Sequence, residues 1–388
     1  MAQLLRHVET EMFTFTRGST GTYFNKAGLL VNAAMNEIRR DFDPVTGARR
    51  GYLMEPNRTN LFLRSQEFDL APWSTTGASV EPNVATVAPD GTATADRLRE
   101  DGTTGAHQIA QNLSVNAAAD HAMSLFVKAD GRSRIELINT YPGGGFSQVI
   151  ANLTTSTILS GDGGCTDVGG GWRHVWQNFT SITAGVGSFR IRLNDGTTDN
   201  YIGNSTSGVL LWGAQLEEGS GPSSYIATGA SAATRAADLA EAALGDWFNP
   251  AGFTLFLEAD YSGGSALMPG QRIAFQIGNG LDRIFFNNFG GTRGAAVVRV
   301  GGVDQVVLSG AAAGQGLFRA AFACKENDFA LSVNGGAVVT DIVGQIPAGM
   351  AVLRLGTQGG TLAMNGHVRR AFLYPTRKSN ADLIAMTA

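Results

Sequence analysis

The sequence predicts an all-β chain: two β-sandwiches in tandem, preceded by a small turn-rich N-terminal region. Three observations carry this expectation. Short segments of alternating apolar and polar residues recur along the chain, which is the period of a half-buried strand. The chain holds 51 glycines in 388 residues, and many short strands with Gly-rich turns belong to sandwiches or barrels. Lastly, Val209-Leu-Leu-Trp-Gly-Ala-Gln-Leu-Glu217 is a nearly continuous apolar run that ends in the turn Glu217-Glu-Gly-Ser-Gly-Pro222, the pattern of a strand buried on both faces. It reads as the closing strand of one sandwich and the gateway to another.

Taken in order, Phe13-Thr-Phe-Thr-Arg17 alternates, Gly18 to Gly21 turns, and Thr22-Tyr-Phe24 returns, which predicts a hairpin. Asn25-Lys-Ala-Gly28 and Asp41-Phe-Asp-Pro-Val-Thr-Gly47 are further turns. This stretch is too thinly apolar for a large core of its own, so it should pack on the next domain or on a sister subunit. Residues 60–228 read as the first full sandwich. Its strand candidates include Ala122 to Lys128, Arg134 to Ile138, Gln148 to Ile150, Arg173 to Trp176 and Phe189-Arg-Ile-Arg-Leu193, with Trp73 as a loop anchor. The connector, 229–247, is Ala-rich, and Ser231 to Leu244 has the propensity of a helix. Residues 248–388 read as the second sandwich, with strands such as Phe253 to Tyr261 and His367 to Tyr374. Asn334-Gly335 between two apolar runs predicts a tight hairpin. Ser379 caps a short helix from Asn380 to Met386.

Composition excludes several classes. Net charge is −4 and no dense Lys/Arg run occurs, so nucleic-acid binding is not indicated. No segment approaches the roughly 18 apolar residues of a membrane helix. Met1 to Met12 carries Arg6, Glu9 and Glu11 and lacks an apolar signal core, so synthesis and assembly in a bacterial cytoplasm are expected. Cys165 and Cys324 fall in different expected domains and are read as free thiols.

Three stretches carry a resemblance. One is Arg58-Thr-Asn-Leu61 followed by an aromatic loop ending in Trp73. Another is Trp212-Gly-Ala-Gln-Leu-Glu217 with Ser224-Tyr-Ile-Ala-Thr228 and Thr234-Arg-Ala-Ala-Asp238. The last is Asn334-Gly335, then Asn365-Gly-His-Val-Arg-Arg370, Tyr374-Pro375 and the terminal helix. Together they resemble virion fibre and head-spike proteins of tailed phages and gene transfer agents. The resemblance implies a carbohydrate-binding-module-like jelly roll in the middle and a concanavalin- or laminin-G-type jelly roll at the end. It implies an extended connector, against the helical propensity. It also implies a homotrimer on the virion surface, attached through other virion proteins by residues before Phe13, with 1–59 as attachment and collar region. A head spike is preferred over a tail fibre, because the chain is short and has no repetitive shaft or coiled-coil heptads. Modules of this kind often hold a structural Ca²⁺, for which Glu67 and Glu217 are the positions to inspect.

No catalytic motif was found: there is no Gly-x-Ser-x-Gly elbow, His-Glu-x-x-His or phosphate loop. The five histidines have no metal-ligand spacing. Asp195 and Asp199 are close in sequence, but glycoside hydrolysis needs carboxylates opposed across a cleft. Sugar recognition needs aromatic faces and polar side chains on a rigid scaffold. Tyr141 beside Pro142-Gly-Gly-Gly145, Trp172 after three glycines, and Asn194, Asp195 and Tyr201 in a polar loop meet that description. Trp172 and Trp176 would share one face of a strand, which equally suits packing, and Trp212 reads as core. The expected function is adhesion to host surface polysaccharide without catalysis or a cofactor. The alternatives are a capsule-degrading glycosidase or lyase, and a purely architectural component.

Overall fold

The computed structural model describes residues 13–261, 271–289, 293–310 and 316–388. The lead-in ahead of Phe13, where virion attachment was expected, lies outside them. The described chain is all-β apart from the helix Asn380–Thr387, and its long strands form four antiparallel sheets. They stack as two jelly-roll sandwiches, the fold class expected. Among the described residues no helix is long and apolar enough to cross a membrane.

The first sandwich has two six-stranded sheets. Sheet I runs, in spatial order, Thr157–Ser160, Gly145–Asn152, Arg134–Tyr141, Gly185–Asn194, Gln108–Val115 and Ser74–Thr76. Sheet II runs Gly163–Asp167, Trp172–Ser181, Ala119–Asp130, Gly208–Glu218, Ala95–Glu100 and Ala78–Val84. Between them lie Leu125, Val127, Leu137, Val149, Phe189, Ile191, Leu211 and their neighbours. Trp73 sits on Phe62 and Phe68, 5.0 Å from each ring, as the anchor expected.

The two sheets differ in what covers them. The outer face of sheet II carries Phe126, Trp172, Leu210, Trp212 and Tyr225, and the hairpin Gly21–Phe24/Leu30–Ala33 lies over it through Phe24 and Leu30. Sheet II is thus buried on both sides, which is why Val209–Glu217 is apolar without alternation. Among the described residues the outer face of sheet I has no such cover, and its central strand alternates Phe189-Arg-Ile-Arg-Leu193, apolar side chains inward and arginines outward.

The second sandwich has two seven-stranded sheets. Sheet III runs Val339–Asp341, Phe329–Val333, Gly316–Cys324, Phe253–Tyr261, Gly366–Tyr374, Arg49–Met54 and Arg40–Phe42. Sheet IV runs Thr14–Thr16, Leu239–Ala243, Val352–Leu355, Gln271–Asn279, Asp282–Phe289, Arg293–Val300 and Val303–Ser309. Asn334 and Gly335 occupy positive φ (50° and 68°) in the hairpin expected of them. Ser379 and Asp382 close a capping box on the final helix. Cys165 and Cys324 are free thiols.

Two expectations are corrected. Phe13 to Phe24 is not a hairpin: Thr14–Thr16 pairs with Leu239–Ala243, and Gly21–Phe24 pairs with Leu30–Ala33. Phe13 gains more by entering the second core than by facing a partner across the Gly18 turn. The division at 59/60 does not separate packing units either. Strands within 14–54 are edge strands of sheets III and IV, and Tyr52 and Met54 are core residues there. The described chain therefore begins in the second sandwich, builds the first, and returns, its early strands taking edge positions in sheets III and IV. The 229–247 stretch is extended, against its helix propensity and as the resemblance implied: Ala233–Arg235 pairs with Arg58–Asn60, and Leu239–Ala243 is a strand of sheet IV. Trp247 packs against the second core.

Two of the three segments that carry the resemblance meet, with Arg17, Arg39 and Glu55, in a buried polar knot between the sandwiches. Asn60 donates to the carbonyls of Ala214 (3.0 Å) and Ile226 (2.8 Å) and accepts from the Leu216 amide. Arg39 donates to both Glu55 and Asp238, and to Ser224 Oγ at 2.7 Å. Arg17 pairs with Asp238 at 3.2 Å and Arg235 with Glu55 at 3.0 Å. Arginine suits these places because its planar fork spans two acceptors at once.

Candidate functional site

The five residues singled out from the sequence do not converge. Trp172 is buried under the hairpin on sheet II, and its Nε1 donates to the Val87 carbonyl at 2.9 Å. It is a packing residue. Trp172→Phe should cost about 1 kcal/mol, by leaving that carbonyl unpaired, and leave ligand binding unchanged; parallel urea melts and binding isotherms check both. Tyr201 is also buried: its hydroxyl donates to Glu100 at 2.7 Å and the Arg132 guanidinium stacks on its ring at 4.9 Å. Tyr141 stacks on Phe179, ring centres 5.2 Å apart. It lies at the end of its strand opposite Asn194, which pairs with Arg134; at about 3.3 Å per residue the two ends are roughly 23 Å apart. Asp195 closes its own turn, accepting from the amides of Thr197 and Thr198 (2.8 Å each). Asp199 pairs with Arg192, so these two carboxylates are not an acid–base pair.

Asn194 alone leads to a site. Its Nδ2 donates to Glu136 at 2.6 Å, and Glu136 belongs to the outer face of sheet I. Strand register lays that face out in rows. Gln108, Arg192, Glu136 and Ile150 form one; Ala110, Arg190, Ile138 and Gln148 the next; Asn112, Ser188, Thr140 and Phe146 the third. Gln148 donates to Glu136 at 2.7 Å, and Arg192 to Gln108 at 2.9 Å as well as to Asp199. These bonds fix the polar side chains around a centre.

At that centre stands Arg190, which makes no hydrogen bond or ion pair with any described residue; its Nε is enclosed without a partner. Partial burial and the charge of Arg192 lower its pKa from the ordinary value. A guanidinium held against a like charge has every reason to accept an oxygen-rich partner. One row away Phe146 is 60% exposed, an aromatic face of the kind that stacks on a pyranose. The arrangement offers planar donors, amides of either polarity and a flat apolar surface on rigid strands. Nothing in it is placed as a nucleophile or a paired acid and base.

The loop-borne aromatics do not gather on this face; period-two alternation is the signal that finds it. It sets Arg190 and Arg192 outward on one strand, and Phe146 and Gln148 outward on another.

The residues inspected for calcium do not fit it. Glu217 is fully buried, accepts from Ser223 (amide 2.7 Å, hydroxyl 2.6 Å) and Gln215 (2.7 Å), and faces Arg58 at 3.6 Å. A guanidinium supplies the positive charge there. Burial pushes its carboxyl above the ordinary range. Glu67 pairs with Arg64 at 2.9 Å.

No protein-family description and no curated protein matches the sequence. Among solved structures, the CBM40 module of Ruminococcus gnavus IT-sialidase bound to α2,3-sialyllactose is 20% identical, with a TM-score of 0.29 over 35% of this chain and 82% of that one. The tandem CBM22 modules of Paenibacillus barcinonensis Xyn10C are 11% identical, with a TM-score of 0.26 over 83% of this chain and 92% of that one. A tail fibre protein, gp63.1, of an E. coli phage is 8% identical, with a TM-score of 0.24 over 83% of this chain and 39% of that one. Likeness at this level assigns no ligand to this chain.

Proposed function

We propose that this chain is a non-catalytic adhesin of a phage or gene transfer agent particle, a head spike or tail fibre that binds host surface polysaccharide through the open face of sheet I. The observation that carries the reading is Arg190, unpartnered among the described residues, amid fixed polar side chains and beside the exposed ring of Phe146. On this reading sugar rings stack on Phe146, and Arg190, Arg192, Gln108 and Gln148 bond their hydroxyls. Attachment to other virion proteins runs through the N-terminus, and the particle presents the chain as a homotrimer. Weak single sites suffice in such an array, because linked copies raise avidity by about 10²–10⁴.

The test is to incubate the purified chain with capsular polysaccharide from candidate host cells, then measure cosedimentation and released reducing ends. Cosedimentation without release is expected; release at enzymatic turnover favours the glycosidase or lyase, and neither favours the architectural role. Light scattering of the purified chain tests the trimer, and electron microscopy of particles with and without it tests the virion location.

A further inference from the structure

A second site lies where the outer faces of sheets II and III meet. A cleft of ≈ 330 Å³ opens there, lined by Phe24, Arg50, His174, Trp176, His367 and Arg369 among others. It adjoins a cavity of ≈ 130 Å³ that shares Phe24, Arg50, His174, Pro222 and His367 with it. The volume is within the range of small-molecule sites, about 300–1,000 Å³. None of it belongs to the sheet I face.

The charges in the cleft are unevenly committed. His367 holds Asp260 through Nδ1 (2.9 Å) and Asp41 through Nε2 (2.8 Å), so both carboxylates are turned to one imidazole. Arg369 donates no hydrogen bond to any described residue, and its nearest carboxylate is Asp260 at 3.6 Å. Arg50 reaches Asp43 at 2.9 Å, and that pair is about a third exposed, 32% and 31%. Trp176 lies flat on sheet II over Gly164, where a Cβ would come within 1.9 Å of the ring; the strand beside it must carry glycine for the indole to lie there.

From these we infer that the cleft binds an acidic pyranose, its carboxylate on Arg369 and Arg50 and its ring against Trp176 and Phe24. This rests on the proposed glycan-binding function and names a second subsite for it. Guanidiniums take carboxylates in paired hydrogen bonds, and stacking on the rings separates a sugar acid from a bare anion.

The probe is sodium glucuronate, titrated calorimetrically into the full chain, with glucose and sodium sulfate as comparisons. Glucuronate should bind at least about tenfold more tightly than either, and Arg369→Gln should weaken it about tenfold. Arg50→Gln, a second half-exposed variant, should do likewise if Arg369→Gln folds poorly. Arg190→Gln is titrated beside them, because its guanidinium on sheet I is the other place the carboxylate could go. Equal binding of glucose, equal binding of sulfate, or insensitivity to both cleft variants overturns the inference. Loss on Arg190→Gln alone also overturns it, while leaving the sheet I adhesin standing.

Discussion

Arg39→Met should destabilise the fold by about 3–5 kcal/mol, the cost of stranding buried charges when one partner of an ion pair is removed. Arg39 is fully buried and bridges Glu55 and Asp238. Burial opposes its charge, but the two carboxylates outweigh that and raise its pKa. Burial likewise favours the protonated form of Glu55, yet Arg235 and Arg39 draw its carboxyl down to about 2. With Arg39 gone, Glu55 keeps Arg235 and Asp238 keeps Arg17, each with half its former charge partners. Such a loss is a large part of the 5–15 kcal/mol typical of folded domains. Urea melts of wild type and variant measure it, and a difference under 1 kcal/mol would contradict the role assigned to the knot. Because the folded pKa of Glu55 is depressed, its contribution is present above about pH 4.5 and is lost as pH falls toward 2.

His367 predicts the opposite dependence at the alkaline end. Burial disfavours its charge, but the hydrogen bonds and charges of Asp260 and Asp41 prevail and raise its pKa to about 9. A raised folded pKa stabilises fully below the unfolded value, about 6.5, and the benefit disappears as pH climbs through 9. Between those limits the chain should lose about 3 kcal/mol. Other charged or titratable groups line the same cleft and its adjoining cavity. Asp41 and Asp260 face the imidazole directly, and Arg50, Arg369 and Glu55 line the cleft and its adjoining cavity. His174, desolvated and pulled down to about 4, stays neutral throughout. Stability measured at several values from about pH 6 to 8.5, below the range where the raised thiols of Cys165 and Cys324 add their own loss, should fall in wild type and stay nearly flat in His367→Gln. Parallel slopes in the two proteins would remove the Asp–His–Asp clamp from the account.

Much of the architecture was legible because it depends on local patterning. Alternation marked the strands, Asn334-Gly335 marked a hairpin, and Ser379 marked a helix start. The unbroken apolar run at Val209–Glu217 marked a strand whose sheet is covered on both sides. What was not legible was long-range pairing. Nothing within Thr14–Thr16 specifies Leu239–Ala243 as its partner, more than 220 residues on, and the helix propensity of the connector yielded to strand pairing that only the assembled sheet provides.

The candidate site was half-visible for a related reason. Asn194 lies on the proposed face, but Trp172 and Tyr201 satisfy their polar atoms inside the fold, and Glu217 meets a guanidinium. Resemblance had drawn notice to Arg58, Glu217, Arg235 and Asp238, and those residues hold the sandwiches together. Arg190 sat in plain view as a polar residue in an alternating strand. Its significance lies in having no partner among the described residues, which is a fact of three-dimensional packing.

The most direct measurement is an equilibrium titration of host capsular polysaccharide against wild type, Arg190→Ala and Phe146→Ala. Both changes are at half-exposed or exposed positions, so melting temperatures should match. Each variant should bind at least about tenfold more weakly than wild type, the equivalent of about 1.4 kcal/mol. Wild-type affinity in both would contradict the assignment of this face.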